Sequence, residues 1–165
     1  MVIEPLTRSH DRAGFDCGGP SLNRFLRETA RQYADRDFGV TYVAVSEEGS
    51  PKILGYYTLT MAEIASDTVP QKGLPSRQPI PVALLGRLAV DLQAQGNRVG
   101  ERLLFDALSG TQQVSYRIGC FAVTVDALTE SAKNFYLRYG FVALSDDPFH
   151  LYMTLKDIRK MGSFL

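Results

Sequence analysis

The sequence predicts an α+β fold, mixed α/β in its element order, with a central sheet that is partly antiparallel and partly parallel. Three observations carry this. Val40–Ser46 and Ile53–Ala62 are rich in β-branched and aromatic residues, and Glu47-Glu48-Gly49-Ser50-Pro51 joins them as a hairpin turn. Val82–Asp91, a glycine-bearing turn, a helical stretch over 99–118 and the apolar run Phe121–Ala127 then succeed one another as strand, helix and strand. The chain has 165 residues. That is the size of one domain, and such a domain buries about two-thirds of its surface without disulfide or metal support.

Each element has its own signal. Met1–Leu6 reads as a short edge strand stopped near Pro5, and residues 7–19, with Gly14, Gly18 and Gly19, read as loop. A helix starts at Pro20, because proline suits the first helical turn. Leu22, Phe25, Leu26, Thr29, Ala30 and Tyr33 share one face of it, with Arg24, Arg27 and Arg31 opposite. Residues 66–81 hold Pro70, Pro75, Pro79, Pro81 and Gly73, which predicts a long structureless loop. In the 99–118 helix, Val99, Leu103, Ala107 and Val114 form an apolar stripe, although Ser109-Gly110-Thr111 weakens its middle. Phe121–Ala127 is apolar throughout, as in a strand buried on both faces. Thr129 caps a helix over 129–139, which Gly140 ends as a left-handed residue. Phe141–Leu144 and His150–Leu155 are the last strands, before a short tail helix. No repeat or linker divides the chain, so residues 1–165 are expected to be a single domain.

Composition excludes several classes of function. Hydrophobic residues are 45% and charged residues 22%, so the chain is neither disordered nor fibrous. The two cysteines, Cys17 and Cys120, make no disulfide framework and no zinc motif, and His10 and His150 stand alone, so no metal site is expected. Lys and Arg number 18, as do Asp and Glu, and neither half is a basic tail, so a nucleic-acid contact would have to come from a local patch. The basic set leans to Arg, 13 against 5 Lys, and Arg is the better fork for phosphate. The first residues lack the basic start and apolar core of a signal peptide, and no apolar run spans a bilayer, so a cytoplasmic protein without membrane partners is expected.

The stretch Leu85-Gly86-Arg87-Leu88-Ala89-Val90-Asp91-Leu92-Gln93-Ala94-Gln95-Gly96-Asn97-Arg98-Val99-Gly100 runs from a strand through a glycine-bearing turn straight into a helix. A helix start has free N–H groups and a positive dipole end, which attract phosphate. Glycine lets the backbone come close to it. Neither Gly-x-Gly-x-x-Gly nor a Gly-Lys-Ser/Thr ending is present. From spacing alone, a phosphate loop and a plain strand–turn–helix with glycines at the helix start are about equally good readings.

Gln95-Gly96-Asn97-Arg98-Val99-Gly100 resembles the Gln/Arg-x-x-Gly-x-Gly/Ala pyrophosphate loop of the GNAT N-acetyltransferases. Ala132-Lys133-Asn134-Phe135-Tyr136-Leu137-Arg138-Tyr139-Gly140-Phe141 resembles their Ala-x-x-Phe-Tyr-x-x-x-Gly-Phe element, one helix and one strand downstream. Phe15-Asp16-Cys17-Gly18, Gly55-Tyr56-Tyr57-Thr58-Leu59, Pro79-Ile80-Pro81-Val82, Leu85-Gly86-Arg87-Leu88-Ala89-Val90-Asp91 and Leu151-Tyr152-Met153-Thr154-Leu155 resemble the GNAT-type toxins of bacterial toxin–antitoxin pairs. The resemblance covers nearly the whole chain. It departs at Arg98, where the superfamily usually has Gly; a side chain there clashes only if the turn needs a positive φ or a very close approach, and its charge can reach the CoA phosphates.

The resemblance implies a GNAT-like sheet flanked by helices and direct acetyl transfer from acetyl-CoA, with no metal. The pyrophosphate would lie on Gln95, Gly96, Asn97, Arg98, Val99, Gly100 and Glu101. The pantetheine arm would pair with Leu88–Val90, where the N–H of Leu88 or Ala89 polarises the thioester carbonyl. Tyr136 matches the family position that gives the leaving thiolate a proton; as a helix aromatic it also reads simply as core. Tyr139 reads as packing. No general base is visible. An α-amine next to an ester needs little help, since such amines titrate near neutrality, and Glu63 and Asp126 read first as structural or solvated carboxylates. Both cysteines read as small buried hydrophobes.

The Arg24, Arg27, Arg31 stripe reads as an ordinary solvated helix face or, with Lys72, Arg77 and Arg87, as a tRNA phosphate patch. The toxin branch implies acetylation of the α-amine of aminoacyl-tRNA, a block of translation, a small ribbon-helix-helix-type antitoxin and a homodimer. Two other functions stand beside it: a housekeeping acetyltransferase of a small amine or protein N-terminus, which the neutral charge favours, and a non-catalytic CoA-binding module, for which Arg98 is the only argument.

Overall fold

A computed structural model describes residues 1–162. Seven strands line up in the order β1-β2-β3-β4-β5-β7-β6. They are β1 (Val2–Pro5), β2 (Val40–Val45), β3 (Gly55–Ala65), β4 (Pro79–Val90), β5 (Ala122–Asp126), β6 (Val142–Ala143) and β7 (His150–Thr154). β1–β2, β2–β3, β5–β7 and β6–β7 pair antiparallel and β4–β5 parallel, as the mixed α/β order predicted. Two compact units account for the chain: Met1–Thr60 with Gly86–Ala107, and Met61–Leu85 with Leu108–Leu165.

In the first unit the edge strand and hairpin stand where the sequence placed them. The first helix does not run straight. It divides into α1 (Pro20–Arg24), a π turn (Phe25–Thr29) and α2 (Ala30–Asp35). The Ala30 N–H reaches back five residues to the Phe25 carbonyl, which puts one extra residue into that turn and shifts the phase of α2. Ala30 is fully buried, as expected, while Tyr33, expected on the same face, is 38% exposed. Arg31 accordingly leaves the common face expected with Arg24 and Arg27; it is half-buried, while Arg27 is exposed. Phe15, Phe25, Leu26, Ala30, Val43, Val45, Ile53, Tyr56 and Ala89 form this unit's core. His10, expected to stand alone, is buried there, with its Nε2 2.8 Å from a Glu4 carboxylate oxygen and its Nδ1 accepting the Thr7 N–H at 3.0 Å.

The second unit holds α4 (Glu130–Arg138) and α5 (Leu155–Lys160), and α3 (Val99–Ser115) ends in it. Val114 is exposed rather than part of the apolar stripe, because α3 closes one residue later and Val99, Leu103 and Ala107 already supply its buried face. Residues 66–81 are less structureless than expected. Ser66–Thr68 is a 3₁₀ turn, and β4 begins at Pro79. The Ser66 N–H donates to the Gln78 carbonyl and the Gln78 N–H to Ser66 Oγ, both at 2.9 Å, which closes the loop at its neck. β5 is buried over Ala122–Val125, as its apolar run predicted. Ile64, Val69, Ile80, Val82, Ala122, Leu144 and Tyr152 form a core cluster here.

Candidate active site

β4 is twelve residues long, yet its parallel ladder with β5 covers only Val82–Leu85 against Ala122–Val125. Among the described residues, Gly86–Val90 have no β5 partner. This segment contains Leu88, Ala89 and Val90, of which Ala89 is buried and the other two half-buried. A strand edge with unspent N–H and C=O groups is a template for another extended chain.

The strand ends in a fastened turn. Asp91 is buried, and its carboxylate accepts the Gln93 N–H at 2.9 Å and the Asp16 N–H at 3.0 Å. The first bond caps the 3₁₀ turn Leu92–Ala94. Gln95 Nε2 donates to the Val90 carbonyl and Asn97 Nδ2 to the Ala94 carbonyl, so both side chains brace the loop from within. Gly96 then has φ 85° and Arg98 φ 59°. Arg98 thus adopts the left-handed conformation that favours glycine, at roughly 1–2 kcal/mol for an ordinary residue. The turn does need a positive φ at the position where the resemblance expected Gly. The Arg98 guanidinium points to solvent, 3.9 Å from Glu101, and is 85% exposed.

α3 starts directly after this turn, and its first backbone bond runs from the Arg102 N–H to the Arg98 carbonyl. Among the described residues, no acceptor meets the N–H groups of Gly96, Asn97, Arg98, Val99, Gly100 or Glu101. Six consecutive unspent donors at the start of a seventeen-residue helix make an anion cradle. Gly55 fixes the helix against the sheet: a Cβ there would lie 2.9 Å from the Ala89 carbonyl oxygen and 2.8 Å from Leu103. Tyr57 adds a 2.6 Å bond from its hydroxyl to the Asp106 carboxylate on α3. Sequence reasoning missed Gly55, Asp91 and Tyr57 as parts of the site's frame, because their partners lie far along the chain.

Tyr136 belongs to the second unit, in α4. Thr129 caps that helix through its Oγ1, which accepts the Ala132 N–H at 3.1 Å, and Gly140 succeeds it at φ 98°. Tyr136 is buried, with its ring 5.2 Å from Phe135 and 5.4 Å from Phe141. Burial alone raises its pKa well above the ordinary tyrosine value, so the hydroxyl carries its proton at neutral pH. Tyr139 stacks edge-on against Phe135. Glu63 and Asp126 are exposed, with Asp126 3.7 Å from His150. Cys17 and Cys120 are only half-buried, and burial raises both thiol pKa values, which leaves them poor nucleophiles. Among the described residues, no group of His, Cys, Asp and Glu fits a metal ion, and no helix is long and apolar enough to cross a membrane.

The expected phosphate patch is partly assembled. The Arg87 guanidinium carbon lies over the Phe25 ring, 3.6 Å from its centroid, which brings it to the segment carrying Arg24 and Arg27. Arg31 lines a separate hollow with Arg8 and Asp35. Lys72 and Arg77 are exposed in the loop of the second unit, Arg77 with φ 53°.

Known proteins match the fold. The Acetyltransferase (GNAT) domain family matches residues 29–151. A tRNA-acetylating toxin of Mycobacterium tuberculosis is 32% identical over 94% of this chain and 93% of its own length. A solved structure of AtaT complexed with acetyl-methionyl-tRNAfMet superposes with TM-score 0.89 at 29% identity, covering 98% of this chain and 99% of that one. A tyrosine-to-phenylalanine mutant of the AtaT toxin, bound to acetyl-CoA and the C-terminus of the antitoxin AtaR, superposes with TM-score 0.83 at 28% identity, over 98% and 97% of the two chains. With the family model and the curated relative agreeing over most of its length, the chain belongs to the GNAT acetyltransferase family.

Proposed function

We propose that this protein is a toxin that transfers the acetyl group of acetyl-CoA to the α-amine of aminoacyl-tRNA, so that the blocked aminoacyl group cannot accept a peptide. The observation that supports it most is the run of six unspent N–H groups from Gly96 to Glu101 at the end of the open β4 segment, in a chain so similar to a tRNA-acetylating toxin. These donors fit the pyrophosphate of acetyl-CoA, with Gln95 and Asn97 bracing the loop and Arg98 free to reach a phosphate. The pantetheine arm extends along Leu88–Val90, and the Leu88 or Ala89 N–H polarises the thioester carbonyl, where the charge of the tetrahedral intermediate develops.

The neutral amine attacks the carbonyl carbon, a C–N bond forms and the C–S bond breaks. The nitrogen loses a proton and the sulfur gains one. Tyr136 enters the step protonated. Because burial weakens it as an acid, it gives up its proton to the thiolate only in step with the proton that the ammonium of the intermediate releases. It therefore ends each cycle neutral. No strong base is needed, since an α-amine is already partly neutral at pH 7. Arg24, the exposed Arg27 and Arg87 over the Phe25 ring contact phosphates of the acceptor, and Arg31, Lys72 and Arg77 contact further ones.

Residues 1–165 act as one acetyltransferase domain in this reading, the last three lying outside the described residues. A small antitoxin of ribbon-helix-helix type holds the toxin inactive, and the toxin works as a homodimer. The test incubates purified protein with radiolabelled acetyl-CoA and total charged tRNA, with deacylated tRNA and free amines as controls. Label retained only on charged tRNA is the expected result. Label on free amines alone would replace this reading with a small-amine acetyltransferase.

A further inference from the structure

A large aromatic ring stands exposed in the first unit, on a backbone built to hold it there. Phe38 lies just beyond α2 and is 57% exposed. Its N–H donates to the Tyr33 carbonyl at 2.9 Å, and its carbonyl accepts the Thr60 hydroxyl at 2.6 Å. The residue before it, Asp37, has φ 56°, a conformation that costs an ordinary side chain free energy and persists only where the surroundings enforce it. The residue after it, Gly39, has no room for a Cβ without crowding the Leu59 carbonyl at 3.3 Å. Nothing in this arrangement buries the ring.

Phe38 is the outer end of a chain of rings. It meets Tyr33 edge-on at 6.1 Å; Tyr33 meets Phe25 edge-on at 5.5 Å; and the Arg87 guanidinium lies on the Phe25 face at 3.6 Å. Arg87 directly precedes Leu88, one of the two residues whose N–H faces the thioester in the proposed reaction. Among the described residues its guanidinium has no carboxylate or carbonyl partner, so its N–H fork is unspent. The series thus runs from the point of acetyl transfer to the surface, with a cation for phosphate at its inner end and, at its outer end, two exposed rings on which any base can stack.

We propose that Phe38 and Tyr33 form a stacking platform for the unpaired bases at the 3′ end of the acceptor tRNA, with Arg87 taking a phosphate between the platform and the aminoacyl group. This rests on the aminoacyl-tRNA reading and adds the residues that recognise the acceptor's single-stranded end. Arg24, Arg27 and Arg36 are exposed on the same stretch of chain, but so are Glu28, Asp35 and Asp37, so the rings and the Arg87 fork rather than net charge select that occupant.

The test measures binding of one deacylated tRNA, intact or trimmed of its last three nucleotides, to wild type, Phe38→Ala and Phe38→Trp. Acetyl-CoA binding by each variant checks that it is folded. Wild type should prefer the intact tRNA by about 5- to 150-fold, the range for one stacked base. Phe38→Ala should lose most of that preference, keeping only what Arg87 and Tyr33 supply, and Phe38→Trp should keep it. Equal binding of intact and trimmed tRNA by wild type, or an undiminished preference in Phe38→Ala, overturns the proposal. So does a Phe38→Ala variant that changes only the oligomeric state, which would make this surface a contact between copies of the chain. Label transfer to charged tRNA by wild type is scored separately, so failure of the platform is distinguishable from failure of the acetylation reading.

Discussion

The loop from Gln95 to Glu101 and the helix around Tyr136 are two ends of one proposed reaction, and they are built in opposite ways. The loop offers main-chain groups. Its side chains either brace it from within, as Gln95 and Asn97 do, or point to solvent like Arg98. The helix offers one side chain, held among Phe135 and Phe141, with a hydroxyl whose properties are set by burial. A substitution in the loop should therefore act on cofactor binding through backbone shape and charge. A substitution at Tyr136 should act on chemistry with binding untouched.

The largest effect is expected in the loop. Gly96→Glu or Gly100→Glu places bulk and negative charge at the proposed pyrophosphate site, and at Gly96 also forces a side chain into a left-handed φ. Calorimetry should find acetyl-CoA binding abolished in both; near-native affinity in both would remove the loop from the site. Next in size is Tyr136→Phe, which keeps the ring and its packing. Rapid-quench measurement of the transfer step should show a loss of ~10²–10⁴-fold, the usual worth of a general acid, at unchanged acetyl-CoA affinity. Native turnover would return Tyr136 to packing alone.

Smaller effects sharpen the contrast. Paired changes Arg27→Ala and Arg77→Ala should raise KM for charged tRNA without altering acetyl-CoA binding. The wild-type reaction should weaken with salt at a slope of about −0.7 to −0.9 per phosphate contact, and the paired change should flatten it. Arg98→Gly relieves the left-handed strain and removes one exposed charge, so thermal stability should rise while acetyl-CoA affinity moves by less than about tenfold. The smallest effect concerns alkali. Burial raises the pKa of Tyr56, Tyr57 and Tyr136, so each favours the folded state in its neutral form. That contribution is complete below the ordinary tyrosine value of about 10 and is lost as pH climbs through the folded values. Circular dichroism should show unfolding begin only above about pH 10, and Tyr136→Phe should make it less steep.

The two regions also differ in how far the sequence foretells them. Thr129 and Gly140 mark the ends of α4 by local chemistry, so that helix and the place of Tyr136 on it are legible. The strand–turn–helix at Val90–Val99 is legible for the same reason, and Gln95–Gly100 stands out within it. The positive φ of Arg98 is not, because arginine, unlike glycine or asparagine, does not announce that conformation. Gly55, Asp91 and Tyr57 acquire their roles from Ala89, Asp16 and Asp106, partners that only the folded sheet brings near. The π turn at Phe25–Thr29 is hidden because helical periodicity assumes a constant turn, and the expected alignment of Arg31 and Tyr33 fails with it. His10 looks solitary in the sequence because its bond to Glu4 has no recognisable spacing.

The central claim is that the acetyl group ends on the α-amine of a tRNA-borne amino acid. The most direct measurement lets the protein react with charged tRNA and acetyl-CoA, cleaves the aminoacyl ester with mild alkali and identifies the released amino acids by mass spectrometry. The account predicts N-acetyl amino acids from wild type and almost none from Tyr136→Phe over the same time. Release of unmodified amino acids only, with the acetyl group found on free amines or on protein, would contradict it.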